Sequence, residues 1–201
     1  MSTAVWLLAA YLVGATPTAY LAGRLARGID LREHGSKNLG ATNVYRVLGW
    51  WWALPVALID IAKGAVPVAL FAPWAGGGPW RGVALGIAAV LGHIFSPFVA
   101  FKGGKGVATA AGMFLALAPL AVGIALPVWG MCLWLTGYVS LSSIIAAATF
   151  PLLVRLTEPR APVVFWASIA LAALIVFSHR ANIQRLLAGT ENRFGTRKEA
   201  S

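Results

Sequence analysis

The chain has 201 residues, of which 59% are hydrophobic and only 11% are charged. Because an ordinary soluble domain carries roughly 25% charged residues, the composition excludes a soluble protein and predicts an integral membrane protein. A net charge of +10 is compatible with binding to nucleic acid. The basic residues, however, lie in short loops between apolar segments, which favours anionic lipids and phosphorylated compounds as partners. The single cysteine, Cys132, excludes an intramolecular disulfide.

Seven apolar segments predict an all-α integral membrane protein with seven transmembrane helices, in a single domain over residues 1–201. The fourth, fifth and sixth segments are short, since a span normally needs about 20 residues. Pro119 and Pro127 interrupt the fourth and fifth, so this stretch is either two short spans or one span with a re-entrant piece, and we favour two spans. The first segment has no charged n-region, and we interpret it as a retained helix. The segments are 4–22, 53–73, 82–101, 107–120, 121–136, 141–156 and 162–178.

The distribution of Lys and Arg predicts the orientation. With seven spans, one side of the membrane receives twelve basic residues and the other side two or three. The positive-inside rule then places the N-terminus outside and the C-terminus in the cytoplasm. The twelve are Arg24, Arg27, Arg32, Lys37, Arg46, Lys102, Lys105, Arg180, Arg185, Arg193, Arg197 and Lys198, against Arg81, Arg160 and, depending on the boundary, Arg155.

A glycine-rich segment between two apolar segments is typical of anion binding. Gly103, Gly104 and Gly106 allow the backbone N–H groups to approach a phosphate, and Lys105 adds a point charge where a helix is predicted to begin at Val107. The alternative is an ordinary interfacial loop with a snorkelling lysine. The spacing of a Walker A loop is missing, so a nucleotide-binding P-loop is not indicated.

A second polar segment, residues 35–43, has the same character. Small residues, a lysine and Gly-Ala-Thr precede a predicted helix, so this segment is a second candidate for anion binding, and Arg46 on that helix strengthens the interpretation. The alternative is that Gly35 and Gly40 make turns and that Thr42 or Asn43 caps the helix.

The role of each of the remaining polar residues has two possible interpretations. His93 and His179 are candidates for a general base or a phosphate ligand, or for hydrogen-bonded packing residues. Ser143, like Ser140 and Ser142 beside it, contacts either a substrate or helix carbonyls. Glu191 orients an arginine or a loop, or is a solvated carboxylate.

Asp60 and Lys63 lie on one face of the second predicted span. Their spacing allows them to neutralise each other, as a structural ion pair or as a wall of the site. All the other polar segments fall at the cytoplasmic ends of the predicted helices, whereas the outer loops are short and plain. One cytoplasmic site is therefore predicted.

In these residues the chain closely resembles the acyl-phosphate:glycerol-3-phosphate acyltransferases, the PlsY family of bacterial membrane enzymes. Three segments carry the resemblance in order, namely 35–43, 92–109 and 179–191, so that it covers nearly the whole length. One departure is Lys37, where glycine is common in the family.

The resemblance implies transfer of a fatty acyl group from long-chain acyl phosphate to the 1-hydroxyl of glycerol 3-phosphate, without a cofactor, bound metal or nucleic acid. It implies a monomer in the bacterial inner membrane with its active site on the cytoplasmic side. By resemblance, the catalytic residues are Lys105, Ser36, Arg46, His179 and Asn182, and the substrate-binding residues are Asn38, Gly40, Thr42, Asn43, Gly103, Gly104, Gly106, Ser143 and Glu191.

The expected mechanism is direct attack of the acceptor hydroxyl on the acyl carbonyl, with either a donor phosphate oxygen or His179 taking the proton. The rival function is a membrane transporter for a phosphorylated or anionic solute. Transporter sites usually lie near the midplane between broken helices. Because the polar segments here cluster at one face and only Asp60 and Lys63 lie deeper, an enzyme is favoured.

Overall fold

The structure, a computed structural model, describes residues 2–195, and over this range every regular element is a helix. Eleven α-helices follow one another, with a π-helical turn at Pro67–Phe71 and a 3₁₀ turn at Pro97–Val99. The helices are α1 Thr3–Ala15, α2 Thr18–Arg27, α3 Ala41–Leu48, α4 Trp50–Val66, α5 Ala72–Trp74, α6 Pro79–Ile94, α7 Val107–Leu117, α8 Pro119–Thr136, α9 Val139–Thr157, α10 Pro162–Ser178 and α11 Arg180–Leu187.

Within the described residues, five helical segments are long and apolar enough to cross a membrane, and a sixth is added if α10 and α11, bent by 57°, count as one span. The integral membrane class is therefore supported, while a count of seven is not reached. The missing span is α7, whose 11 residues reach only about 16 Å across a hydrocarbon core of about 30 Å. The fifth and sixth predicted spans, in contrast, are long enough, since α8 has 18 residues and α9 has 19.

The first predicted span is broken in the structure. α1 ends at Ala15 and α2 begins at Thr18, because Pro17 has no N–H to continue the helical ladder. The carbonyl groups freed by this break bind side chains from other helices: Ser96 Oγ donates to the Ala15 carbonyl at 2.5 Å, and Lys63 Nζ donates to the Thr16 carbonyl at 2.8 Å. The break therefore ties the first segment to α4 and to the end of α6.

Glycines bring α4 and α7 into backbone contact. A Cβ atom on Gly64 would lie 1.9 Å from the carbonyl oxygen of Thr109, and one on Gly112 would lie 1.8 Å from that of Ile61. Gly86 on α6 packs against the side chain of Met113 on α7, since a Cβ atom on Gly86 would lie 2.4 Å from Met113 Cγ. The short α7 is thus held in the centre of the bundle, with its first turn in a fixed position.

Candidate active site

A cavity of about 410 Å³ lies between α4, α7, α8, α9 and α10. α7 and α9 both lead from its polar end to its apolar end, so the two ends are separated along the bundle. The polar end is lined by Ser36, Asn38, Gly40, Thr42, Asn43, Arg46, Lys105, Gly106, Ser140, His179, Asn182 and Glu191. The apolar end is lined by Phe114, Val122, Ala125, Leu126, Trp129, Ala146, Ala147, Phe150, Leu171 and Ile175, with Ser143 between the two sets.

The segment 35–43 reaches the cavity as a loop held by the side chain of Asn43. Asn43 Oδ1 accepts the N–H of Ser36 at 2.7 Å, and its Nδ2 donates to the carbonyl groups of Leu31 and His34 at 3.1 Å each. Both polar atoms of the Asn43 amide therefore bind the loop backbone. Asn43 affects a ligand indirectly, because it positions Ser36 and the first turn of α3. Lys37 has φ of 60°, a conformation that favours glycine, and its side chain is exposed.

The structure turns Gly103 and Gly104 away from the cavity, in contrast to the expected phosphate contact. Their N–H groups donate to the carbonyls of Ile94 at 3.0 Å and His93 at 3.1 Å. A Cβ atom at Gly103 would lie 2.0 Å from the His93 carbonyl oxygen, so these glycines serve close packing against the end of α6. Gly106 does line the cavity, and its φ of 81° starts α7, whose first turn points N–H groups at the polar end.

Four side chains form a hydrogen-bonded chain at the polar end. Lys105 Nζ donates to Asn182 Oδ1. Asn182 Nδ2 donates to Glu191 Oε1 at 2.7 Å, and Arg185 Nε donates to Glu191 Oε2 at 2.7 Å. Ser140 Oγ adds a bond to Glu191 Oε1 at 3.0 Å, and the carboxylate is only 4% exposed. Glu191 is thus an orienting residue and not a solvated carboxylate.

Burial perturbs the charges in this chain. Burial lowers the pKa of the Lys105 ammonium to about 8, although the Glu191 charge acts in the opposite direction. Burial raises the pKa of the Glu191 carboxyl, but hydrogen bonds from Asn182, Arg185 and Ser140 outweigh burial, so that its pKa lies below the ordinary value. A bound anion beside Lys105 would restore the proton affinity that burial removes.

Arg46 projects from α3 into the same end of the cavity. Its Nη2 donates to the Asn192 carbonyl at 3.3 Å, whereas its buried Nε has no partner among the described residues. A buried N–H without a partner is costly, so an oxygen of a bound ligand at this position would remove a penalty as well as add an ion pair.

His179 follows the last residue of α10 and is buried. Its Nδ1 lies 2.8 Å from the Ile175 carbonyl oxygen. Because a carbonyl only accepts, Nδ1 carries the proton and Nε2 keeps a lone pair. The ring lines the cavity, so Nε2 is available to accept a proton or a hydrogen bond from a ligand hydroxyl.

The serines of α9 have partners of their own. Ser143 Oγ donates to the Val139 carbonyl at 2.8 Å and accepts from Trp129 Nε1 at 3.2 Å. Ser142 Oγ donates to the Tyr138 carbonyl at 2.9 Å. These bonds favour the interpretation of Ser142 and Ser143 as residues that satisfy helix carbonyls.

The apolar end was not predicted residue by residue. Phe114 and Phe150 close it with ring centroids 4.7 Å apart, and Trp129 forms one wall. Leu126 of α8 lines the cavity and is also 59% exposed, so the wall of the apolar end reaches the outer surface of the bundle at this residue. In a membrane helix, apolar side chains that face a cavity and those that face lipid look alike in sequence, and only the structure separates them.

The fold and this cavity define an integral membrane protein whose helical bundle encloses one long cavity, with basic and polar side chains at one end and apolar side chains at the other. Residues 4–189 match the family model described as glycerol-3-phosphate acyltransferase. Curated proteins of that name from Geobacter sulfurreducens and Chlorobaculum parvum are 48% and 43% identical, over 92% and 94% of this chain and 94% and 95% of theirs.

Two solved structures are also similar. Crystal structures of PlsY (YgiH), an integral membrane glycerol 3-phosphate acyltransferase, in the glycerol 3-phosphate form and the lysophosphatidic acid form, superpose with TM-scores of 0.85 and 0.86. Each is 40% identical and each match covers 96% of both chains. The chain belongs to the glycerol-3-phosphate acyltransferase family, so the resemblance seen in the three sequence segments is confirmed, and an enzyme is favoured over a transporter.

Proposed function

We propose that this protein transfers a fatty acyl group from acyl phosphate to the 1-hydroxyl of glycerol 3-phosphate, giving lysophosphatidic acid and inorganic phosphate. The observation that supports this proposal most strongly is that one cavity has a polar, basic end and an apolar end. Lys105, Arg46 and the first turns of α3 and α7 surround its polar end, while aromatic and aliphatic side chains surround the rest. Two phosphorylated reactants, one of them with a fatty chain, match these walls.

The acyl phosphate lies along the cavity. Its chain enters from the bilayer past the exposed Leu126 and ends against Phe114 and Phe150. Its phosphate meets the N-terminus of α7 and the ammonium of Lys105, where the helix dipole and the charge act together. Gly103 and Gly104 support this position from behind, through their bonds to the end of α6.

Glycerol 3-phosphate enters from water at the polar end. Arg46, whose Nε has no partner within residues 2–195, binds the acceptor phosphate together with Ser36, Asn38 and the first turn of α3. Asn182 is held by Lys105 and Glu191 and lines the same end. The glycerol hydroxyls are thereby directed toward the donor carbonyl and toward His179.

The reaction is a direct acyl transfer. The 1-hydroxyl oxygen forms a bond to the acyl carbon, the bond between that carbon and the phosphate oxygen breaks, and phosphate leaves with the electron pair. The hydroxyl proton passes either to a phosphate oxygen of the donor or to Nε2 of His179, whose tautomer leaves that atom unprotonated. Catalysis comes from holding the reactants together and from stabilising the developing negative charge with Lys105 and the N–H groups of α7.

The chain acts as a monomer in the bacterial inner membrane, with seven spans, the N-terminus outside and the active site on the cytoplasmic side. The uneven distribution of basic residues supports this orientation. The bond from the Phe194 N–H to the Gly137 carbonyl, 2.7 Å long, supports it further, since it brings the end of α8 to the same face as the C-terminal segment. α7 is then the short seventh span, enclosed by its neighbours.

The decisive experiment measures phosphate release and lysophosphatidic acid formation by the purified protein from palmitoyl phosphate. Both should require glycerol 3-phosphate and should appear in equal amounts. Phosphate release that is independent of glycerol 3-phosphate would contradict acyl transfer. A comparable rate with palmitoyl-CoA in place of palmitoyl phosphate would contradict the assignment of the donor.

A further inference from the structure

Three polar side chains lie deep in the bundle and take no part in the chain of bonds from Lys105 to Arg185. Asp60 and Lys63 of α4 are 1% and 5% exposed and form an ion pair of 2.7 Å. His93 of α6 is also buried, with its Nδ1 3.2 Å from Lys63 Nζ. Ionisable groups at such depth are costly in a membrane protein and are usually retained for a function.

The ammonium of Lys63 binds three acceptors at once. They are Asp60 Oδ1 at 2.7 Å, the Thr16 carbonyl at 2.8 Å and His93 Nδ1 at 3.2 Å. Since an ammonium only donates, His93 Nδ1 is an acceptor and its proton is on Nε2. Asp60 is fixed from a second side by the hydroxyl of Thr18, 2.5 Å away. The orientation of the His93 ring is thus set by Lys63.

The glycine loop packs against both the backbone and the ring of His93. The backbone carbonyls of His93 and Ile94 accept the N–H groups of Gly104 at 3.1 Å and of Gly103 at 3.0 Å, and these two bonds do not involve the side chain. The ring lies so close that a Cβ atom on Gly104 would be 2.2 Å from Nε2. Lys105 is the next residue along the chain, so the position of its backbone follows from these contacts.

We propose that Asp60, Lys63 and His93 are positioning residues, which hold the loop of Gly103 and Gly104 against the end of α6 so that Lys105 is aimed at the donor phosphate. Asp60 and His93 also line the main cavity, whereas Lys63 does not line it and orients His93 from behind the loop. This inference rests on the proposed role of Lys105, because that residue transmits the effect to the reaction.

The first experiment replaces His93 and measures kinetics and amide hydrogen exchange. His93→Ala removes both the ring that touches Gly104 and the acceptor for Lys63, and turnover should fall about 100-fold, as expected when a reacting group is displaced by about 1 Å. The KM for glycerol 3-phosphate should change less than about 3-fold. The amides of Gly103 and Gly104 should exchange faster without substrate, while those of α9 keep their protection.

His93→Asn is the partial rescue, since its Oδ1 can still accept from Lys63. The His93→Asn variant should have a higher turnover than His93→Ala. If the alanine variant does not fold, the asparagine variant is compared with the wild type instead. His34→Ala is the matched control, because that side chain is exposed in another loop and outside the cavity, and it should behave as wild type.

The second experiment separates positioning from direct contact with substrate. In a Lys105→Ala background, His93→Ala should reduce turnover by less than about 3-fold further, because both changes remove the same interaction. A full additional 100-fold loss would overturn the inference, as would wild-type kinetics in His93→Ala or unchanged exchange at Gly103 and Gly104. The proposed function fails separately, if phosphate release by the wild-type protein does not require glycerol 3-phosphate, and the exchange measurement does not depend on that result.

Discussion

Removal of the Lys105 side chain is the sharpest test of the proposed chemistry. Lys105→Ala should lower turnover about 100- to 1,000-fold, which corresponds to about 2.7–4 kcal/mol of transition-state stabilisation, the range found when one donor to a developing negative charge is removed. The fold should tolerate the change, because burial already disfavours the ammonium and Asn182 keeps its bond to Glu191.

Lys105→Arg should restore less than about 10-fold of the lost turnover. The charge is retained, but the planar guanidinium needs more room than the ammonium. The loop has little freedom to provide that room, since a Cβ atom at Gly106 would already meet Ile94 Cδ1 at 2.9 Å and Gly104 is in contact with His93.

The assay is steady-state release of phosphate by detergent-purified variants with matched size-exclusion profiles and melting temperatures. Lys102→Ala is the matched control: it removes a lysine from the same loop, but that side chain is exposed and does not line the cavity, so turnover should stay within about 2-fold. Near-wild-type turnover in a well-folded Lys105→Ala protein would refute the proposed mechanism.

Three further outcomes are expected. The kcat/KM should fall as the pH rises through about 8, because burial lowers the pKa of Lys105 to about 8 and only the ammonium attracts phosphate. Lys105→Arg should flatten this alkaline limb of the pH profile. An alkaline limb identical to that of the wild type would contradict its assignment to Lys105. Phe150→Ala should shift the preference toward acyl phosphates longer by a few carbons, as measured by competition between chain lengths, whereas an unchanged preference would place the chain elsewhere. In a Cys132→Ser background, Gly77→Cys and Gly195→Cys should react with a membrane-impermeant maleimide from opposite sides of intact vesicles, and reaction from one side would exclude seven spans.

The sequence predicted the convergence of the polar groups because each group sits at the end of an apolar segment. Arg46, Lys105, His179 and Glu191 lie at such ends, and alternate crossing of a bilayer brings these ends together. The Asp60 to Lys63 pair was also predictable, since residues three apart on a helix are neighbours. These interactions are local or follow from the topology.

Other features depended on distant backbone atoms. Gly103 and Gly104 do not line the cavity because the carbonyls of His93 and Ile94 accept their N–H groups, and no local sequence pattern reveals that competition. The break at Pro17 likewise depends on carbonyl partners from α4 and α6. A single sequence does not distinguish a glycine that lies against a ligand from a glycine that lies against another part of the backbone.

Leu126 joins the apolar end of the cavity to the outer surface of the bundle, so under the proposed function the two reactants would arrive from two different phases. A donor that enters from the bilayer is present at a surface density, so its effective concentration is its mole fraction among the surrounding lipids or detergent. The acceptor dissolves in water and follows its bulk concentration. Dilution of the membrane with inert lipid at constant total donor would therefore slow the protein, while dilution of the donor with buffer would not, and the lipid product would remain in the leaflet where it was made.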